Sequence, residues 1–236
     1  MGHLLSKSKY IRGLQCDRAL WLDVFNPRLA RYTAEQMRRF DRGRDFEYAF
    51  KALFPDGIDL SAELKRNVDL YPERTAQLLD KGDGAVLFEA GFQYDDVLVL
   101  ADVVRQREDG TLDIYEVKSG AALSDTYRRD AALQHYVISH CRRVNSFSIV
   151  YNGLDGVNGA NGQGGQDGQD GPFAIVDLTA ELAAEGDRIA ANIAEMKTIV
   201  RATAEPDTPT GQHCLTPYAC PYQHYCQHGV RQLSLF

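Results

Sequence analysis

Apolar positions recur at helical spacing at both ends of this chain and at strand spacing in its middle. Residues 6–22 carry an apolar stripe of Ile11, Leu14, Ala19, Leu20 and Leu22, with Cys16 inside it, and predict a first helix. Thr33 followed by Gln36 has the form of a capping box. It opens a second helix running to about Phe54, where Pro55-Asp56-Gly57 stops it, and a shorter helix follows Pro72. The period then falls to two. Residues 85–94 and 97–107 are rich in β-branched and aromatic side chains, Glu108-Asp109-Gly110 reads as a hairpin turn, and 112–119 is the next strand. Residues 126–141 predict a helix, 144–151 a strand and 173–178 a further strand. Thr179 starts a long helix to about Thr203. Helices flanking a block of strands predict an α/β fold with a mixed central sheet.

Residues 153–171 interrupt this pattern with Gly, Asn, Gln and Asp and too few apolar residues to bury a core. Glycine recurs at every third position from 153 to 171, but proline is absent from the segment, so a collagen-like helix is not expected. The expected organisation is one domain. A helical part spans 1–84, the sheet core 85–152 and 172–204, a flexible loop 153–171, a cysteine-rich lobe 205–230 and an apolar tail 232–236. A chain of 236 residues buries roughly 70–75% of its unfolded surface, enough for a sizeable core. No apolar run approaches the ~20 residues of a membrane span. The opening MGHLLSKSKYIRG has too short an apolar stretch for a signal peptide, so the expected location is the cytoplasm.

The net charge of -7 argues against a general nucleic-acid-binding surface, but the charge is unevenly spread. Residues 1–51 hold eleven Lys and Arg against six acids, a net of +5, which leaves -12 for the remainder. A basic face of this kind can steer a phosphate backbone, and two solvated helices explain it equally well.

The chain has five cysteines, an odd number, and no export signal, which argues against a disulfide framework. Cys141, at a predicted helix end, reads as a small buried apolar residue. The other four lie near the two ends: Cys16, then Cys214, Cys220 and Cys226 with five residues between neighbours. Four thiolates suit a tetrahedral zinc site, for which His213, His224 and His228 offer alternative ligands, or a four-cysteine iron–sulfur cluster. If the four converge, one inorganic centre closes the chain on itself and its binding free energy becomes folding free energy.

Glu116 and Lys118 are two apart on a predicted strand and share a face. Asp102 lies in LVLADVV on the preceding strand, where an unpaired acid costs free energy unless it meets a cation. Two carboxylates and a lysine at a sheet suit Mg²⁺ or Mn²⁺; a cross-strand salt bridge accounts for the same residues. The helix after them, with Asp130, Gln134 and Tyr136 in RRDAALQHYVI, extends the pattern.

Taken together, SKSKYIRGLQCDRALWL, the Asp102 strand, Glu116-Val117-Lys118, the Gln134/Tyr136 helix and the terminal cysteine triplet resemble the PD-(D/E)XK nuclease superfamily. The likeness is to its RecB-like branch with an iron–sulfur cluster, which includes the AddB nuclease domain and the CRISPR-adaptation nucleases. The resemblance implies a restriction-endonuclease-like core and a cluster lobe docked on the first helix. Asp102 and Glu116 would be metal ligands, helped by the Val117 carbonyl, and Lys118 the catalytic lysine. Gln134 and Tyr136 would contact the substrate backbone and brace the site. Cys16, Cys214, Cys220 and Cys226 would bind a 4Fe-4S cluster. Where many members place a histidine four residues after a glycine, Gly43 is followed by Glu47, offered as a third metal ligand. Glu89 in VLFEAGF reads as a strand-edge acid with a possible supporting role.

The final residues Gln232, Leu233, Ser234, Leu235 and Phe236 resemble the peptide by which bacterial DNA polymerases and repair factors bind the sliding clamp. Two leucines and a phenylalanine suit an apolar pocket, and such a tether raises the local concentration of DNA. The expected activity is hydrolysis of phosphodiesters in single-stranded or flap DNA, near the nucleoid. A CRISPR-adaptation nuclease and a non-cutting DNA-binding module are the alternatives.

Overall fold

The computed structural model describes residues 4–153 and 173–228, the side chains of Arg39, Phe40 and Arg42 excepted. Nearly all of the glycine-rich segment, and the whole tail 232–236, lie outside the described residues.

The chain enters with a short strand β1 (Leu5–Ser6), followed by α1 (Lys7–Gln15) and α2 (Asp17–Phe25). The single helix expected over 6–22 is therefore two. Ser6 caps α1 by accepting from the Lys9 amide, and Cys16 breaks the run by turning extended. Its amide still closes α1 on the Arg12 carbonyl, while its own carbonyl accepts from Leu20 and starts α2. The apolar stripe continues through the break, so periodicity alone hides it. Next come α3 (Ala34–Lys51), β2 (Ile58–Asp59), α4 (Leu60–Leu64) and α5 (Tyr71–Leu79). The Thr33/Gln36 capping box is formed reciprocally.

β3 (Val86–Tyr94) and β4 (Val97–Gln106) form a hairpin through Asp95 and Asp96, both at positive φ, as tight two-residue hairpin turns require. β5 (Leu112–Lys118) follows the turn at Gly110, whose φ of 76° suits glycine. Asp109 braces that turn by accepting from the Thr111 amide and hydroxyl. α6 (Asp125–Cys141), β6 (Val144–Asn152), β7 (Phe173–Asp177), α7 (Thr179–Ala183) and α8 (Gly186–Ile199) complete the core, and α9 (Gln223–His228) lies in the C-terminal segment. The long helix expected from Thr179 is interrupted before Gly186, a poor helix former.

Among the described residues one seven-stranded sheet runs in the order β2-β3-β4-β5-β6-β7, with β1 paired to the start of β4. Pairing is parallel for β2–β3 and β5–β6 and antiparallel for β3–β4, β4–β5 and β6–β7, so the sheet is mixed. The fold is α/β, with helices flanking this sheet. One apolar cluster gathers Tyr10, Leu20, Tyr71, Leu87, Ile114, Leu133, Phe147 and Ile193. A second places Phe46 and Phe50 of α3 against Phe88, Val103, Val117 and Val150. A third joins Ala19 and Leu22 of α2 to Tyr222 and Tyr225. Gln15 donates to the carbonyls of His213 and Tyr218, and Gln36 to that of Ala219, so the C-terminal segment is bonded to the helical N-terminal part. No helix among the described residues is long and apolar enough to cross a membrane.

β3 and α5 meet at Gly91. A Cβ there would lie 2.4 Å from Tyr71 Cβ and 2.8 Å from the Tyr71 carbonyl carbon, which is backbone and cannot step aside. Gly91→Ala is expected to destabilise the fold by about 1–3 kcal/mol. A lower urea midpoint at unchanged m value would show it.

Candidate active site

Strand register sets three acids in a row across the sheet. Phe88 pairs with Val103 and Ala90 with Ala101, which sets Glu89 opposite Asp102. Val103 pairs with Tyr115, so one step further along that ladder Asp102 lies opposite Glu116. α3 adds Glu47 from above. Glu47, Glu89 and Asp102 each bring a carboxylate oxygen within 4.8 Å of the other two. Glu89 holds a φ of 54°, the left-handed region, inside an otherwise extended strand. Such a conformation costs a non-glycine residue about 1–3 kcal/mol and persists where surrounding contacts impose it. Those contacts include Lys51, in the last turn of α3, whose ammonium bonds Glu47 and also Glu89 at 2.7 Å. Asp102 is anchored on its other side, where its Oδ2 accepts from the Val117 amide at 2.7 Å.

A second group adjoins the first. Glu116 is fully buried, and its Oε1 accepts from Lys7 at 2.8 Å and Lys118 at 2.5 Å. Lys118 also bonds Asp130 Oδ2 at 2.6 Å, and Lys7 lies 3.8 Å from the same oxygen. Four buried polar positions nearby have no hydrogen-bond partner among the described residues: Glu116 Oε2, Asp130 Oδ1, and both the amide nitrogen and oxygen of Gln134. Buried polar atoms are satisfied nearly everywhere in folded proteins, so these atoms call for a partner such as an ordered water or a bound ligand.

Burial, and then the Glu116 charge, hold the Asp102 carboxyl well above the usual carboxylate range. Burial likewise raises Glu89, against the pull of Lys51. Burial opposes ionisation of Glu116 too, but Lys118 and Lys7 overcome it and hold that group well below the usual range. Asp130 is raised by burial despite the same two lysines. Burial disfavours the Lys118 charge, yet Asp130 and Glu116 raise its pKa well above the ordinary lysine value. Acids and lysines here are mutually dependent, and a divalent cation would relieve the strain on Asp102 and Glu89 directly. Three carboxylate oxygens in so small a span suit a hard, oxygen-seeking ion such as Mg²⁺ or Mn²⁺.

Asp102, Glu116, Lys118 and Glu47 are thus brought into one neighbourhood, with the Val117 amide supporting Asp102, while Gln134 is buried one helical turn after Asp130 on α6. Two expectations need correction. Glu89 is no edge acid, because β3 lies between β2 and β4, and it belongs to the acid triad. Tyr136 stands apart: its ring packs on Tyr94 and His140 at centroid distances of 5.8 and 4.5 Å. Asp130 and Gln134 are one helical turn apart and share a face of α6, whereas two further residues carry Tyr136 to the other side. The aromatic ring near Lys118 is Tyr127, 5.7 Å from the ammonium. Lys7 and Lys51 were not foreseen. Lys51 follows Glu47 by four residues, an ion-pair spacing legible in the sequence. Lys7 carried only its place in the basic N-terminal stretch.

Cys16, Cys214, Cys220 and Cys226 are free thiols. Cys16, Cys220 and Cys226 border the apolar cluster of Ala19, Leu22, Tyr222 and Tyr225, and the Cys220 amide bonds the Cys214 carbonyl at 2.8 Å. Burial raises the Cys16, Cys220 and Cys226 thiols, and each is also pushed up by the charge of other members of the set. The four do not form a compact ligand group, since among the described residues the acid triad is the group of three or more donors within 4.8 Å of one another. His213 Nε2 sits 3.6 Å from Cys214 Sγ, while His224 and His228 pack on each other. Cys141 is exposed rather than buried, with its thiol directed at the Gln93 carbonyl.

No family model matches this chain, and no curated protein matches it. Among solved structures it is similar to the crystal structure of SSO0001, at 12% identity over 81% of this chain and 75% of that chain, with a TM-score of 0.33. A likeness that distant says nothing of the chemistry.

With the folded pKa of Asp102 and Glu89 raised, the native state binds protons that the unfolded chain has already released. Metal-free stability is therefore expected to fall as pH rises from about 4, the ordinary carboxylate value, through the raised folded values. Asp102→Asn, which can still accept from Val117, should flatten that slope and raise the Tm in chelator. Mn²⁺ at a hundred times its Kd should stabilise the wild type by about 2.7 kcal/mol and Asp102→Asn by less than half of that. Thermal melts with and without Mn²⁺ at several pH values measure both effects.

Proposed function

We propose that this protein is a metal-dependent DNA nuclease of the PD-(D/E)XK superfamily, in its RecB-like branch, with a restriction-endonuclease-like core around β3–β6 and a C-terminal iron–sulfur lobe. One observation carries the reading: carboxylates from adjacent strands and from α3 meet beside Lys118, next to the unpartnered buried atoms of Glu116, Asp130 and Gln134. A divalent cation held by Glu47, Glu89 and Asp102, with Glu116 adjacent, would polarise a phosphodiester and make a bound water a better nucleophile.

The chain's own groups supply the rest. Lys118 presents an ammonium that is shared between Glu116 and Asp130 before substrate arrives and can turn to the charge growing on phosphoryl oxygens. Asp130 and Lys7 hold that pair in place. Gln134 offers an unused donor and acceptor beside them. The excess of Lys and Arg in residues 1–51 favours approach of a polyanion despite the negative total.

Four free thiols from opposite ends of the chain support a 4Fe-4S cluster, and those of Cys16, Cys220 and Cys226 feel the charge of others in the set. The resemblance to the iron–sulfur branch favours it over zinc, which the spacing along the chain would suit equally. A cluster would tie α2 to the C-terminal segment and add its binding free energy to the fold; hydrolysis needs no redox step. The tail 232–236 supports recruitment by the sliding clamp in repair or replication.

Purified without oxygen, the protein should be brown and cut end-labelled single strands with Mn²⁺. Asp102→Ala and Lys118→Ala should each lower kcat at least ~10²-fold. Equal cutting by the variants, or none by the wild type, would sustain the non-cutting DNA-binding module instead. A colourless, zinc-loaded preparation would remove the cluster. Deleting residues 232–236 should abolish capture on immobilised sliding clamp; unchanged capture, or none by the intact protein, would leave the CRISPR-adaptation reading ahead.

A further inference from the structure

Resting on the reading of Glu47, Glu89 and Asp102 as a cation site, we propose that Lys51 is a built-in cation of that centre: its ammonium holds the position between Glu47 and Glu89 that a second divalent ion would take, and so limits the site to one ion. Two-ion sites hold their metals about 3.5–4 Å apart, bridged and flanked by carboxylates. Here the Lys51 ammonium bonds both outer carboxylates of the triad, Glu89 at 2.7 Å and Glu47 closer still, and all three acids fall within one 4.8 Å span. That side of the triad is already taken by a positive charge.

Lys51 is not a loose surface lysine that swings aside. Its side chain is 8% exposed, and its ammonium lies 5.6 Å from the centre of the Phe88 ring. It sits in the last turn of α3, where the helix dipole favours a cation. Its carboxylate partners raise its pKa against the opposing effect of burial.

Charge balance points the same way. Once a divalent ion displaces their protons, the three carboxylates and one ammonium carry two negative charges, which that single ion cancels. The adjoining Glu116, Asp130, Lys7 and Lys118 are neutral as a set and ask for no further cation. Glu116, opposite Asp102 on the next strand, is fully buried, and its Oε2 has no partner among the described residues. Lys51 is a positioning residue: it keeps Glu47 and the left-handed Glu89 turned toward Asp102 and does not touch substrate.

Mn²⁺ binding to the full-length, anaerobically purified protein tests this by equilibrium dialysis and electron paramagnetic resonance. The wild type and Lys51→Arg should each hold one ion with the six-line spectrum of isolated Mn²⁺. Lys51→Met should hold two, with an exchange-coupled spectrum and a second Kd at least ten-fold tighter than any second binding by the wild type. A coupled pair in the wild type, or a single ion in Lys51→Met, overturns the role of Lys51 while leaving the nuclease reading intact. A wild type that binds no Mn²⁺ defeats the metal site itself. Should Lys51→Met not fold, Lys51→Gln repeats the measurement, and the wild-type spectrum decides alone whether one ion or two is held.

Discussion

Acids on neighbouring strands can be buried side by side only where cations face them. Glu89, Asp102 and Glu116 occupy adjoining positions on β3, β4 and β5, and Asp102 and Glu116 are almost or wholly shut off from water. Leaving such charges unpaired would cost several kcal/mol for each ion. The chain answers with three lysines from separate elements, Lys7 at the start of α1, Lys51 at the end of α3 and Lys118 on β5. Each ion pair therefore also fixes where a helix sits. α1 is drawn to β5 by Lys7, α3 to β3 by Lys51, and α6 to β5 through Asp130. Pairing of this kind costs stability against an apolar core of the same shape, which is why a concentration of it points to chemistry rather than to architecture.

The two unusual regions border the same helix. α1 begins with Lys7 at the acid site and is followed directly by Cys16 at the thiol region, a separation of nine helical residues, or about 14 Å. Gln15 at the end of α1 bonds the His213 and Tyr218 carbonyls, so the C-terminal segment grips the same helix. α1, two and a half turns long, thus spans the distance between the thiols and the Lys7–Glu116 pair. In the proposed nuclease this makes the cluster lobe part of the framework that positions the acid site.

Much of the secondary structure was legible because it is local. The strands at β3, β4, β5 and β6 and the helix α6 fall within one or two residues of the pattern read from periodicity, and the Thr33 cap is where its sequence says. The failures share a cause. Cys16 breaks a helix whose apolar stripe runs on unbroken, because its conformation answers to α2 and the C-terminal segment. The two-residue strands β1 and β2 are too short to show a period and exist through pairing with β4 and β3. Glu89 looked like an edge acid because strand order across a sheet is not written in any one strand. Tyr136 was attractive through its nearness to Gln134 in the chain, but helical phase turns it toward Tyr94.

From its sequence alone this protein was bound to bring Glu116 and Lys118 onto one face of a strand, because side-chain alternation leaves little choice. Which acids would meet, and which lysines would neutralise them, was a question of register and of helices arriving from about forty to more than a hundred residues away. Glu47, Lys51, Glu89 and Asp102 come from α3, β3 and β4, and Lys7 reaches Glu116 across 109 positions of chain. Long-range electrostatic compensation depends on three-dimensional proximity and burial, so only the tertiary structure could decide it.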